Sequence, residues 1–167
     1  MLLIMIGAGV WYDLHSYRIP NEVILIGFGA GLIYRCWEGD VAKGAIGLLL
    51  PILLLYPLFY IHALGAGDIK LFAVIGMFLG YPDIFYFIIS AFFFGAGLSV
   101  IQIVRYGNLK SRMYYFICYI SNYLRTKKVE AYYMEDRDGR QPVIHFSLAI
   151  LLAAFTQIVL SGKVFIN

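Results

Sequence analysis

Apolar runs of unequal length, broken by short polar intervals, take up most of this chain. They fall at Leu2–Tyr12, Glu22–Trp37, Gly44–Ile61, Leu71–Tyr81, Ile84–Val104 and Val143–Leu160. A helix that spans a bilayer takes about 20 residues, and about 17 at the least. The first and fourth runs are about 11 residues each, which rise only ~16 Å as helices. They must extend into their flanks or stop short, and each borders an aspartate. The pattern predicts an all-α polytopic membrane protein, a bundle of six transmembrane helices.

The breaks carry ordinary helix punctuation. Pro20-Asn21 precedes the second run, with Asn21 a candidate cap and Glu22 suited to a helix N-terminus. Pro82-Asp83 separates the fourth and fifth runs, with Asp83 a second candidate cap, and Pro142 opens the sixth. Pro51 and Pro57 lie inside the third run. Membrane helices tolerate interior proline where neighbours satisfy the freed carbonyls, so a kink is expected there.

Composition agrees with the pattern. Of the 167 residues 62% are hydrophobic and 14% charged, and the mean hydropathy is +0.80. A soluble domain of this size could not hide so much apolar surface. The N-terminal run lacks the basic start and small-residue cleavage site of a signal peptide, so it reads as a short first helix. The whole chain, 1–167, reads as one membrane domain with a cytoplasmic or interfacial loop at about 105–142. In that loop Leu109, Met113, Phe116, Ile117, Ile120 and Leu124 recur at helical spacing, flanked by Lys110, Arg112, Arg125, Lys127 and Lys128. Such a segment lies on an anionic leaflet or serves as a membrane-adjacent structural helix.

Charge sets the orientation. With six spans, the loops after the first, third and fifth helices carry Arg18, Lys70, Arg105, Lys110, Arg112, Arg125, Lys127, Lys128, Arg137 and Arg140. The other side carries Arg35, Lys43 and Lys163. Lysine and arginine concentrate on the cytoplasmic side. The count therefore places the first set in the cytoplasm and both termini outside. The net charge of +3 forms no basic, aromatic-interleaved patch of the kind that binds nucleic acid.

The same orientation puts Asp13 and Asp68 together on the cytoplasmic side. A carboxylate beside a membrane segment is costly and marks a functional site by default. Two that meet share a proton: one is ionised and activates water, the other keeps its proton and polarises a carbonyl. Asp13 opens Asp13-Leu14-His15-Ser16-Tyr17-Arg18-Ile19-Pro20-Asn21, and Asp68 sits in Gly65-Ala66-Gly67-Asp68-Ile69-Lys70. Gly65 and Gly67 allow backbone to approach a substrate strand closely. Lys70 either favours the charged carboxylate or snorkels to lipid headgroups.

Other chemistry finds less support. Cys36 and Cys118 are the only cysteines; without a CxxC they form no zinc site, and they read as small buried apolar residues. No metal and no cofactor are expected. His15, His62 and His145 are scattered; the first two flank the aspartates and read as ordinary interfacial histidines. None of the seven serines, Ser147 among them, sits in a nucleophile motif. The aromatic clusters Phe85-Tyr86-Phe87 and Phe92-Phe93-Phe94 face lipid or pack.

The two aspartate motifs resemble those of the type IV prepilin peptidases. Gly65-Ala66-Gly67-Asp68-Ile69-Lys70 is similar to that family's GxGDxK signature, and Asp13 with Ile19-Pro20-Asn21 to its first aspartate and following turn. The resemblance runs from Asp13 to about Gly80. It implies a membrane aspartyl endopeptidase with Asp13 and Asp68 catalytic and Gly65, Gly67, Lys70, Pro20 and Asn21 in support. It implies a prepilin-like partner with a basic leader and an apolar helix, cut after a glycine at the cytoplasmic face. Long members also methylate the new N-terminus and carry two CxxC pairs; this sequence resembles the short, peptidase-only branch. A different class, a small transporter or channel with Asp68 as proton or ion relay, would need polar residues facing inward along several helices. A third reading is a catalytically idle assembly subunit.

Overall fold

The computed structural model describes residues 2–16, 19–106 and 145–161, and single positions 114, 117, 118, 121 and 125. Six helices are described: α1 Leu2–Ser16, α2 Asn21–Glu38, α3 Val41–Tyr60, α4 Ala66–Leu79, α5 Asp83–Tyr106 and α6 Phe146–Ser161. The amphipathic helix and Pro142 expected from the sequence fall largely or wholly outside the described residues. Tyr114, Ile117 and Cys118 are helical and exposed.

α4 is the centre of the molecule. It is apolar all round, and such a helix is stable only when surrounded. Leu71, Phe72, Ala73, Val74, Ile75, Gly76 and Met77 are all buried. α3 lies closest to it, with α2, α5 and α1 also against it; α6 packs on α5 and α1. The α3–α4 approach depends on two glycines. A Cβ on Gly47 would stand 2.1 Å from the Gly76 carbonyl oxygen, and one on Gly76 would stand 2.0 Å from the Gly47 carbonyl oxygen. The backbones touch, as small residues permit between membrane helices.

The short runs at the motifs lengthen by taking the motifs into the helix. α1 runs to Ser16 and so includes Asp13; α4 starts at Ala66 and carries Asp68 in its first turn. At 15 and 14 residues they rise only ~21–22 Å, so both stop short of a full hydrocarbon core. Asn21 is not the cap expected of it. The capping position falls on Pro20, and Asn21 is the first helical residue, its side chain engaged elsewhere. α5 likewise starts at Asp83 itself. Asp40 supplies the side-chain cap that α3 needs, accepting from the Lys43 N–H at 3.1 Å. α3 continues through both Pro51 and Pro57.

Two helices, α3 and α5 over Asp83–Gln102, are long and apolar enough to cross a membrane. Only 22% and 28% of those stretches is buried within the protein. The core helix of a soluble domain would be mostly covered, so this pattern favours a lipid-facing surface. The aromatic clusters divide by helical phase: Phe87 is buried edge-on to Phe72, while Phe85, Tyr86 and Phe93 are exposed. Both cysteines are exposed rather than buried, because Cys36 and the Cys118 position face away from the packed core.

One polar residue inside the bundle was counted from sequence only as a loop charge. Arg35 is 3% exposed. It donates to the Met77 carbonyl at 2.9 Å and the Phe78 carbonyl at 2.5 Å, and it pairs with Glu38 at 2.7 Å. The last carbonyls of a helix have no partner within it. Arg35 therefore satisfies the end of α4 opposite to Asp68 and fixes that helix lengthwise.

Candidate functional site

The site is where the end of α1 meets the start of α4. Gly65 precedes α4 in an extended conformation, which makes Asp68 the third helical residue. From there a carboxylate reaches back to the free N–H groups of the first turn, as in a capping box. The Gly65 backbone N–H indeed bonds the Asp68 carboxyl. A Cβ on Gly65 would stand 3.2 Å from Asp68 Oδ2, so glycine here leaves the carboxyl its position.

Asp13, Ile19, Asn21, Gly65, Ala66, Gly67, Asp68 and Lys70 line one cleft of about 400 Å³. The two motifs dock directly on each other across it. Gly67 faces Ile19, whose side chain would be 3.4 Å from a Cβ there, and Lys70 Nζ donates to Asn21 Oδ1 at 2.9 Å. Lys70 thus follows neither expectation from sequence. It ties the start of α2 to the first turn of α4. Pro20 fixes the extended backbone between Ile19 and Asn21.

Asp68 lies before the apolar stretch Leu71–Tyr81, at the polar mouth of the bundle. Burial pushes its carboxyl up to about 7; the Asp13 charge adds to the rise, and the Gly65 N–H opposes it. Each of the first two effects penalises a second negative charge in the cleft.

Two residues not picked out from the sequence also meet this site. Ser147 Oγ donates to Asp13 Oδ2 at 2.5 Å, and His145 Nδ1 stands 3.3 Å from the same oxygen. Ser147 is fully buried. The other histidines serve locally. His15 bonds the Trp11 carbonyl at 2.9 Å and stacks on that ring, and His62, at φ 57°, is the left-handed residue closing α3. Among the described residues no cluster of three or more His, Cys, Asp or Glu side chains is arranged to hold a metal ion.

Two carboxyls from separate motifs thus line one cleft at the end of an apolar helical bundle. The model of the type IV leader peptidase family matches residues 1–100, more than half of the chain, and the chain belongs to that family. No curated protein and no solved structure matches it. The matched part contains both aspartate motifs, the cleft and all of α4; His145 and Ser147 lie beyond it.

Gly65→Ala tests the geometry around Asp68. The backbone at position 65, φ −73°, suits alanine, so the fold should persist. The new methyl must move the Asp68 carboxyl by a few tenths of an ångström. On the catalytic role proposed below for Asp68, cleavage is expected to fall about tenfold, since small misplacements of a reacting group cost rate steeply. Comparing kcat of the purified variants, with a melting curve as the control, reads this out.

Proposed function

We propose that this protein is an aspartyl endopeptidase of the inner membrane that removes the basic leader of prepilin-like proteins at the cytoplasmic face. The observation that carries the reading is the meeting of Asp13 and Asp68, from separate motifs, in one cleft. One carboxylate takes a proton from water as the water oxygen bonds to the scissile carbonyl carbon. The other donates its proton to the carbonyl oxygen. Collapse of the tetrahedral intermediate breaks the C–N bond, and the proton taken from water leaves with the nitrogen. The activity is peptidase without methyl transfer, in keeping with a sequence that has no CxxC.

The six helices form the membrane bundle, with α3 and α5 spanning fully and the shorter helices opening its cytoplasmic end to water. The charge count, ten lysines and arginines against three, sets the dyad on that side. A relay for protons or ions would need polar groups through the bundle. Among the described residues the buried polar ones are Arg35 and Ser147, each committed to a partner, which favours the peptidase.

The substrate's leader is basic, as is the cytoplasmic side of the protein, so attraction between the two is not the recognition force. The substrate's apolar helix lies in the bilayer against the bundle and presents its end, and the glycine before the cut, to the cleft. In liposomes, shortening that helix should reduce cleavage several-fold, while raising salt should leave it nearly unchanged. Strong salt sensitivity with no dependence on helix length would overturn this mode of binding.

The pH profile gives a second test. The working pair holds one proton. Asp68, raised to about 7, keeps its proton below that pH and loses it above. Cleavage should therefore fall as pH rises through about 7, to roughly a tenth of its plateau by pH 8, in kcat/KM of the free enzyme.

A further inference from the structure

Asp13 does not stand alone at the end of α1, and what holds it comes from the far end of the chain. Ser147 Oγ and His145 Nδ1 both approach Oδ2 of Asp13, at 2.5 and 3.3 Å. A serine hydroxyl has a single proton to give. Given to Oδ2, it engages that oxygen as a hydrogen-bond acceptor. The serine is fixed in place by its neighbour. Phe146 packs its ring against Phe72 at 6.1 Å and Phe92 at 5.2 Å, and a Cβ on Gly95 would stand 2.6 Å from it. Phe72 lies one helical turn beyond Asp68 on α4. The start of α6 is therefore wedged against the helix that carries one aspartate while its next residue grips the other.

We propose that Ser147 and His145 are positioning residues that clamp Oδ2 of Asp13 and commit Asp13 to activating water, with Asp68 as the proton donor to the substrate. This rests on the peptidase reading given above. The second carboxyl oxygen of Asp13 is then the one that takes the proton from water. Hydrogen bonds to a carboxylate fix the orientation of the group. The burial that disfavours charge on Asp68 acts in the same sense. The division of labour thus follows from surroundings: Asp13 is given the Ser147 donor, and charge on Asp68 is disfavoured.

The test measures kcat and KM of leader cleavage per folded molecule, in liposomes, for the wild type, Ser147→Ala, His145→Ala and Asp13→Asn. Ser147→Ala should lower kcat about 10- to 100-fold with KM within about twofold, because orientation of the reacting group, and not substrate binding, is lost. His145→Ala should lower kcat a few-fold in the same way; His145 precedes α6 and is half-buried, whereas Ser147 is fully buried, so this variant, with its own melting curve, keeps the test open even if Ser147→Ala unfolds. Wild-type kcat in the folded fraction of both variants, or a change confined to KM, would overturn the clamp. Asp13→Asn separates the two levels: inactive beside fully active Ser147 and His145 variants, it leaves the dyad standing without its clamp, while an active Asp13→Asn overturns both.

Discussion

Asp68→Asn is expected to stop leader cleavage, lowering kcat by about 10³-fold or more, with the protein still inserted and folded. Asparagine keeps the size of the side chain and its contact with the Gly65 N–H, so the first turn of α4 is preserved. What it removes is the transferable proton. Asp13→Asn should have a loss of the same order, because water then has no base. The pair works as one unit, so the double variant should be no worse than either single variant. Purified proteins in a common detergent, assayed to the same detection limit, provide the comparison. Additive losses would mean that the aspartates act independently.

Gly76→Val is expected to have the largest effect on the fold, and it lies away from the chemistry. Its Cβ would fall 2.0 Å from the Gly47 carbonyl oxygen and 3.1 Å from Ile84. The first obstacle is backbone in a neighbouring helix and has no rotamer to change. α3 and α4 must separate, and overpacking of this kind costs about 3 kcal/mol or more. Arg35 grips the last carbonyls of α4, so the displaced helix also strains that contact. Loss of the folded peak in size-exclusion chromatography, or a strongly lowered melting point, is the expected outcome. Gly29→Ala, with nothing within 4 Å of its added carbon, is the matched control and should stay within about 1 kcal/mol of the wild type.

Much of this site was legible in the sequence because charge is rare here. Asp13 and Asp68 stand out at the edges of apolar runs, and the glycines before Asp68 mark where a helix begins. Their docking was not legible. That Lys70 would reach Asn21, and Gly67 face Ile19, depends on how α1, α2 and α4 cross, which no local pattern states. Arg35 carried a signal that was read as loop charge. A cation within an apolar run, three residues before Glu38, is a pattern that marks a buried, partnered group. Ser147 gave almost none, since a single serine entering an apolar helix is ordinary. Only the polar pair His145 and Ser147 at the edge of the last run hinted at it. The helix ends were misplaced by up to five residues, because apolar content defines the lipid-facing middle of a helix better than its polar first and last turns.

The central claim, that the Asp13/Asp68 cleft hydrolyses a peptide bond at the membrane surface, is tested most directly by the masses of the products. The purified protein, reconstituted in liposomes, would be given a full-length substrate with a basic leader, a glycine and a single apolar helix. Intact-mass spectrometry would follow both fragments, with the Asp13→Asn/Asp68→Asn variant in parallel. The account predicts two products whose masses sum to the substrate plus one water, cut after the glycine, and none with the double variant. Equal cleavage by the double variant, or an uncut substrate with the folded wild type, would contradict it.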